Sequence, residues 1–210
     1  MTLCLVTGRA AIGASLDELV EQARRAAAAG VDLVQIRERD LEGRDLAALV
    51  KRVVAATRGT GAKVVVNDRV DVALASGADG VHLRADSIPV HAARHLAPGP
   101  FLVGRSIHSV DEARAAAGAD YLIAGTVFPT ASKPDGDRYL GLDGLGEIVR
   151  ATPLPVLAIG GIAHDRLADV AATGAAGVAA IRMFARSDRP ALETIVADAR
   201  RLFDKVKTAS

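Results

Sequence analysis

Side chains able to do chemistry recur at one kind of place in this sequence, directly behind a short apolar run. Arg37, Glu38 and Arg39 follow LVQI; Asn67, Asp68 and Arg69 follow KVVV; His82, Arg84 and Asp86 lie in and behind GVHL. Arg105, Ser106 and His108 end the run that begins FLVG, and Thr126, Thr130, Ser132 and Lys133 follow YLIAG. Gly160 and Gly161 follow VLAI, and Arg182 follows GVAAI. Arg37, Arg39, Arg105 and Lys133 are cations that could surround a phosphate or pyrophosphate, arginine through forked hydrogen bonds and lysine as a point charge. A glycine pair lets backbone N–H groups approach a phosphate with no Cβ in the way, so Gly160–Gly161 is a second candidate anion site. Asp68 is the metal candidate, because Mg²⁺ commonly takes one or two carboxylates and then substrate oxygens. Plainer accounts stand beside these. A loop arginine can sit in a salt bridge, a glycine pair can make a tight turn, and Asp68 can cap a helix or pair with Arg69. His82 and His108 can be hydrogen-bonded structural histidines.

The elements that position these residues follow from the apolar pattern. Short β-branched runs at 3–7, 33–37, 63–67, 80–83, 101–106, 121–126, 156–160 and 177–181 read as strands. Between and after them, stretches of helical period lie near 16–29, 44–58, 70–76, 89–96, 110–117, 142–150, 165–173 and 190–205. The runs are nearly continuous in apolar residues, as parallel strands buried on both faces must be. GAD at 77–79, GAD at 118–120 and GAA at 174–176 repeat one signal: helix end, tight turn, strand. Eight such units predict an α/β protein, a single-domain (β/α)8 TIM barrel over 1–210. An open doubly wound sheet is the runner-up, and it lacks the Gly-rich turn expected after its first strand. Barrel chemistry sits at the carboxyl ends of the strands, where the polar residues cluster. The hydroxyl-rich loop 127–141 reads as a lid over that mouth.

Composition narrows the partners. Lys+Arg is 26 against Asp+Glu 25, a net charge of +1, and 3% of residues are aromatic with no Trp. A strongly basic nucleic-acid binder and a base-stacking surface are both excluded. Cys4, the one cysteine, lies in the apolar LCLVT and reads as a buried structural thiol. There is no basic-then-apolar signal pattern and no apolar run of about 18 residues, so a cytoplasmic protein with no membrane partner is expected.

Taken in order, VQIRERD, VNDRVDVALASGADGVHL, VGRSIHSVDEA, GTVFPTASKPD, VLAIGGI and GVAAIRMF resemble the motifs of the thiamine phosphate synthase/TenI family, from about residue 31 to 184. The resemblance implies a barrel enzyme of thiamin biosynthesis that joins a pyrimidine-methyl diphosphate to a thiazole phosphate and releases pyrophosphate. By motif, Arg37, Asn67, Ser106, Thr130 and Lys133 would hold the pyrophosphate, with Arg39 at a position usually Lys. Arg37, Ser106 and Lys133 would carry the catalytic work. Thr126, Thr130 and Ser132 would lie on the substrate side, and Gly160, Gly161, Ile181 and Arg182 at the thiazole phosphate. Mg²⁺ would bind Asp68, with Asp86 as the alternative ligand, and the family also suggests a homodimer.

The departures point several ways. Synthase members usually follow the HL of strand four with GQ, an acidic residue and Asp. Here HLRADS puts Ala85 at the Gln position and Ser87 at the second metal-binding Asp. A Ser usually stands at the place of Arg182, and the histidine that TenI-type tautomerases use after strand six is Thr126 here. A TenI-type thiazole tautomerase is therefore the alternative to the synthase. A non-catalytic regulatory protein that binds a thiamin-related phosphate is the reading from another class.

Overall fold

Valine, leucine and isoleucine fill both faces of the short runs, and such strands need cover on both sides. The computed structural model, which describes residues 1–97, 99–130, 139–185 and 189–208, provides it by closing the sheet. The strands are β1 (Thr2–Val6), β2 (Leu33–Ile36), β3 (Lys63–Asn67), β4 (Gly80–Leu83), β5 (Leu102–Ile107), β6 (Tyr121–Gly125), β7 (Val156–Ile159) and β8 (Gly177–Ala180). They pair in parallel in sequence order, and β8 pairs back to β1. The helices are α1 (Arg9–Ile12), α2 (Leu16–Ala28), α3 (Gly43–Thr57), α4 (Val70–Ser76), α5 (Val90–Leu96), α6 (Val110–Ala115), α7 (Gly141–Arg150), α8 (Leu167–Ala172) and α9 (Arg189–Thr208). The (β/α)8 barrel expected from the sequence is the observed fold.

The alternation of strand side chains splits the core in two. Cys4, Val6, Leu33, Val65, Tyr121, Ile123, Leu157 and Ala179 pack inside the barrel. Their neighbours along the chain, such as Leu3, Leu5, Val34, Ile36, Val64 and Val66, pack outward against the helices. Cys4 is fully buried, and that burial pushes its thiol far above the usual range, which fits a structural role.

The strand-entry signal has a physical basis at the amino end. Asp32 accepts from the Leu3 N–H at 2.8 Å, Asp79 from Val64 at 2.8 Å and Asp120 from Val103 at 2.7 Å. Each carboxylate satisfies a backbone donor of the preceding strand and also pairs with a base: Arg200, Lys63 and Arg94 respectively. These aspartates lock strand ends together on the face away from the polar clusters.

Two local differences separate expectation from structure. The four-residue α1 falls between β1 and α2, too short to show a helical period in the sequence. Before α8, His164–Arg166 form a 3₁₀ turn rather than the first turn of an α-helix. Elsewhere most element ends agree within about two residues, the ordinary scatter of boundaries.

Candidate active site

The inward-facing positions of β2 to β5 turn polar as they reach the carboxyl end. Gln35 donates from Nε2 to Asn67 Oδ1 at 3.0 Å, which occupies the asparagine's acceptor and leaves its N–H₂ group to donate. On the next strands, His82 lies fully buried, with Nδ1 3.2 Å from Tyr121 Oη and Nε2 2.8 Å from Ser106 Oγ. Burial, and then the charge of Arg105, lowers the His82 pKa to about 3, so the ring is neutral. A neutral imidazole has one N–H. That N–H serves either Tyr121 Oη or Ser106 Oγ; in the tautomer with Nε2–H, Ser106 accepts from the ring and keeps its own proton for a ligand.

This burial has a pH consequence. The unfolded imidazole takes up a proton near pH 6.5, while the folded one does so only near pH 3. Stability is therefore lost as pH falls from about 6.5 towards 3, because the unfolded chain binds the extra proton. Urea unfolding should give a smaller unfolding free energy at pH 5 than at pH 7, and ring ¹⁵N shifts of His82 should stay those of a neutral imidazole. A His82 titration centred near 6.5 would contradict the arrangement.

Adjoining this network at Asn67, the loops after β2, β3 and β4 and the start of α3 line an open cleft of about 850 Å³, where Arg39, Arg44, Arg69 and Arg84 are interleaved with Glu38, Glu42, Asp45 and Asp68. Such a volume suits a small-molecule ligand. Arg37, at the end of β2, is held through its backbone N–H to Thr7 Oγ1 at 2.9 Å. Its guanidinium is half-buried and makes no hydrogen bond or ion pair with a described residue. Burial, and then the charge of Arg39, draws its pKa below the usual arginine range, with Glu38 opposing. A partly desolvated, unpaired cation is costly until an anion arrives. The neighbouring acid is already occupied: Glu38 is buried against the Arg9 backbone N–H at 3.3 Å and Arg9 Nε at 3.4 Å. Arg9 also pairs with Asp40, tethering α1 to the loop after β2.

The structure corrects one cation and refines the others. Arg105 does not face an anion site. Its Nη1 donates to the Ile88 carbonyl at 2.6 Å and Nη2 to Ala85 at 2.7 Å, bracing the loop after β4. Arg39, Asn67 and Asp68 are brought together in the cleft, and Ser106 lies at the barrel mouth beside Asn67 through His82. Gly160, Gly161, Ile181 and the exposed Arg182 stand behind β7 and β8, on the other half of the ring. The glycine pair has positive φ of 102° and 63°, and a Cβ at Gly160 would fall 2.3 Å from Thr126 Cγ2. The pair thus admits the segment that leads into the long loop. There the Arg166 guanidinium covers the Phe128 ring at 4.3 Å. Thr126 and Thr130 are described, while Ser132 and Lys133 lie outside the described residues. His108 reads as structural, since its Nδ1 bonds to the Gly125 carbonyl.

The Mg²⁺ expectation meets a different donor set. Asp68 holds a left-handed backbone (φ 65°), and its Oδ1 is buried without a hydrogen-bond partner. It does not pair with Arg69, which forks onto Asp71 at 2.8 and 2.6 Å. Asp86 is gripped by Arg84, whose Nη1 also lies 3.7 Å from Asp68 Oδ2. Among the described residues no three His, Cys, Asp or Glu side chains converge to hold a metal. Arg84 stands between Asp68, the expected ligand, and Asp86, its alternative, so the two do not form a two-carboxylate ion site as they stand.

Sequence reasoning missed Gln35, Tyr121 and the Arg9–Glu38–Asp40 clamp. Gln35 carried a signal, as a polar side chain inside an apolar strand; Tyr121 and Arg9 carried none that spacing could reveal.

Fold and site together define a (β/α)8 barrel whose mouth holds a half-buried arginine next to a polar, charged cleft. Residues 3–184 match the sequence family described as thiamine monophosphate synthase. A thiamine-phosphate synthase of Methanoculleus marisnigri is 50% identical over 161 residues, 76% of each chain. One from Methanoregula boonei is 45% identical over 191 residues, 90% of this chain and 86% of the relative. The structure of thiamine phosphate pyrophosphorylase from Pyrococcus furiosus superposes with a TM-score of 0.82 at 37% identity, covering 98% of this chain and 96% of that one. A 3-hexulose-6-phosphate synthase, at 19% identity and a TM-score of 0.71, shares the fold alone. The chain belongs to the thiamine monophosphate synthase family.

Proposed function

We propose that this protein is a thiamine-phosphate synthase, a transferase that couples a pyrimidine-methyl diphosphate to a thiazole phosphate. The observation that carries the reading is the unpaired, half-buried Arg37 beside a cleft lined by Arg39 and Asn67. In the reaction the methylene carbon–oxygen bond breaks, pyrophosphate leaves with the bonding pair, and the thiazole nitrogen lone pair forms the new carbon–nitrogen bond. Negative charge develops on the leaving group, and donors fixed beforehand stabilise it without reorganising. Arg37, Arg39, Asn67 and Ser106 take that role, joined by Thr130 and Lys133 from the long loop. Thr130 and Ser132 also approach the thiazole, Gly161, Ile181 and Arg182 serve its phosphate, and Thr126 and Gly160 belong to the substrate-binding set.

A tautomerase would need a proton shuttle after β6, and Thr126 cannot serve as histidine does. No described helix is long and apolar enough to cross a membrane. The proposal places the enzyme in the cytoplasm as a homodimer, the second point to be checked by light scattering. Two incubations test the reaction. Both substrates together should give thiamin phosphate, and the thiazole phosphate carboxylate alone should remain unisomerised. Isomerisation without coupling would replace the synthase reading by the tautomerase.

A further inference from the structure

Arg84 occupies a place where a motif of this kind usually has glycine. Its guanidinium is oriented by Asp86, with Nε 2.8 Å from Oδ1 and Nη2 on Oδ2. That fork fixes the plane and leaves Nη1 committed to nothing closer than Asp68 Oδ2, at 3.7 Å. Arg84 lines the cleft with Arg39 and Asn67, and its charge is felt by Arg37. Two Nη1 N–H donors therefore stand at the edge of the proposed anion site, between the carboxylates of Asp68 and Asp86.

We propose that Arg84 is a pyrophosphate-binding residue that supplies, as a fixed guanidinium, the positive charge otherwise brought by a divalent cation. The inference rests on the synthase reading for its ligand, and it makes diphosphate binding independent of Mg²⁺. The Nε/Nη2 edge is spent on Asp86, so Arg84 offers a phosphate the charge-assisted N–H donors left on its outer nitrogens. Asp86 acts as a positioning residue, holding the fork, while Asp68 stands further off at 3.7 Å. The side chain is partly exposed, so its removal does not threaten the core.

The test is calorimetric titration of the full chain with inorganic pyrophosphate, in EDTA and in Mg²⁺. Wild type should bind in EDTA, and Arg84→Gly should weaken that binding about 10- to 100-fold, the worth of a charge-assisted hydrogen bond. Arg84→Gly with Ser87→Asp, which removes the cation and adds a carboxylate to the same loop, should bind better with Mg²⁺ than with EDTA. Unchanged affinity in Arg84→Gly, or wild-type binding only in Mg²⁺, would overturn the proposal. Thiamin phosphate formation is read separately. Tight pyrophosphate binding without coupling would sink the synthase reading and leave the Arg84 assignment standing.

Discussion

Arg37→Ala will lower kcat/KM for coupling by about 10²–10³-fold, the usual loss when one fixed donor to a developing anion is removed. The expected result joins a large catalytic loss to an unchanged fold. Arg37 makes no side-chain hydrogen bond or ion pair with a described residue, and Arg39 and Arg84 act on it as like charges. Truncation therefore breaks no hydrogen bond, and it trades repulsion from Arg39 and Arg84 against attraction to Glu38, so the change in unfolding free energy should stay within about 0.5 kcal/mol. Steady-state kinetics and a thermal melt of the same preparation check both halves. A variant that loses activity in proportion to a falling Tm would show Arg37 to be structural.

Gly104→Ala is the second large effect, and it acts through packing. Gly104 faces the barrel interior on β5, where a Cβ would stand 2.2 Å from Tyr121 Cζ, 2.5 Å from its hydroxyl and 2.6 Å from His82 Nδ1. Both neighbours are buried, so the ring cannot simply swing aside. Overpacking of this kind costs about 3 kcal/mol, which lowers Tm by about 6–12 °C in a domain of this size. Displacing Tyr121 and His82 also releases Ser106, so activity should fall further than stability alone explains. The check is kcat measured well below the variant's Tm. Full activity there would show that the Tyr121–His82–Ser106 chain does not position the serine.

The barrel was legible because strand and helix leave different periods, and because parallel strands buried on both faces read as unbroken apolar runs. LVQIR and KVVVN each ended in polar residues, so Arg37, Asn67 and Asp68 could be placed at strand ends. What the side chains do there was not legible. Arg105 carries the same charge as Arg37, yet two backbone carbonyls from the loop after β4 claim its donors. Partners 17 and 20 residues away are fixed by loop conformation, which no local spacing encodes. The partner of Asp86 was likewise not legible: Arg84, two residues before it, folds back onto its carboxylate, a pairing that depends on the turn after β4. Tyr121 gained its role from Gly104 on the neighbouring strand, a relation that exists only once β5 and β6 are paired.

In the proposed reaction, the donors around Arg37 serve departure of pyrophosphate coupled to capture by the thiazole. Phosphorus NMR of a reaction mixture follows both partners at once. With both substrates present, pyrophosphate and thiamin phosphate should appear in equal amounts, and omitting the thiazole phosphate should abolish formation of thiamin phosphate. Pyrophosphate release with no thiamin phosphate in the complete mixture, or no turnover at all, would contradict the account.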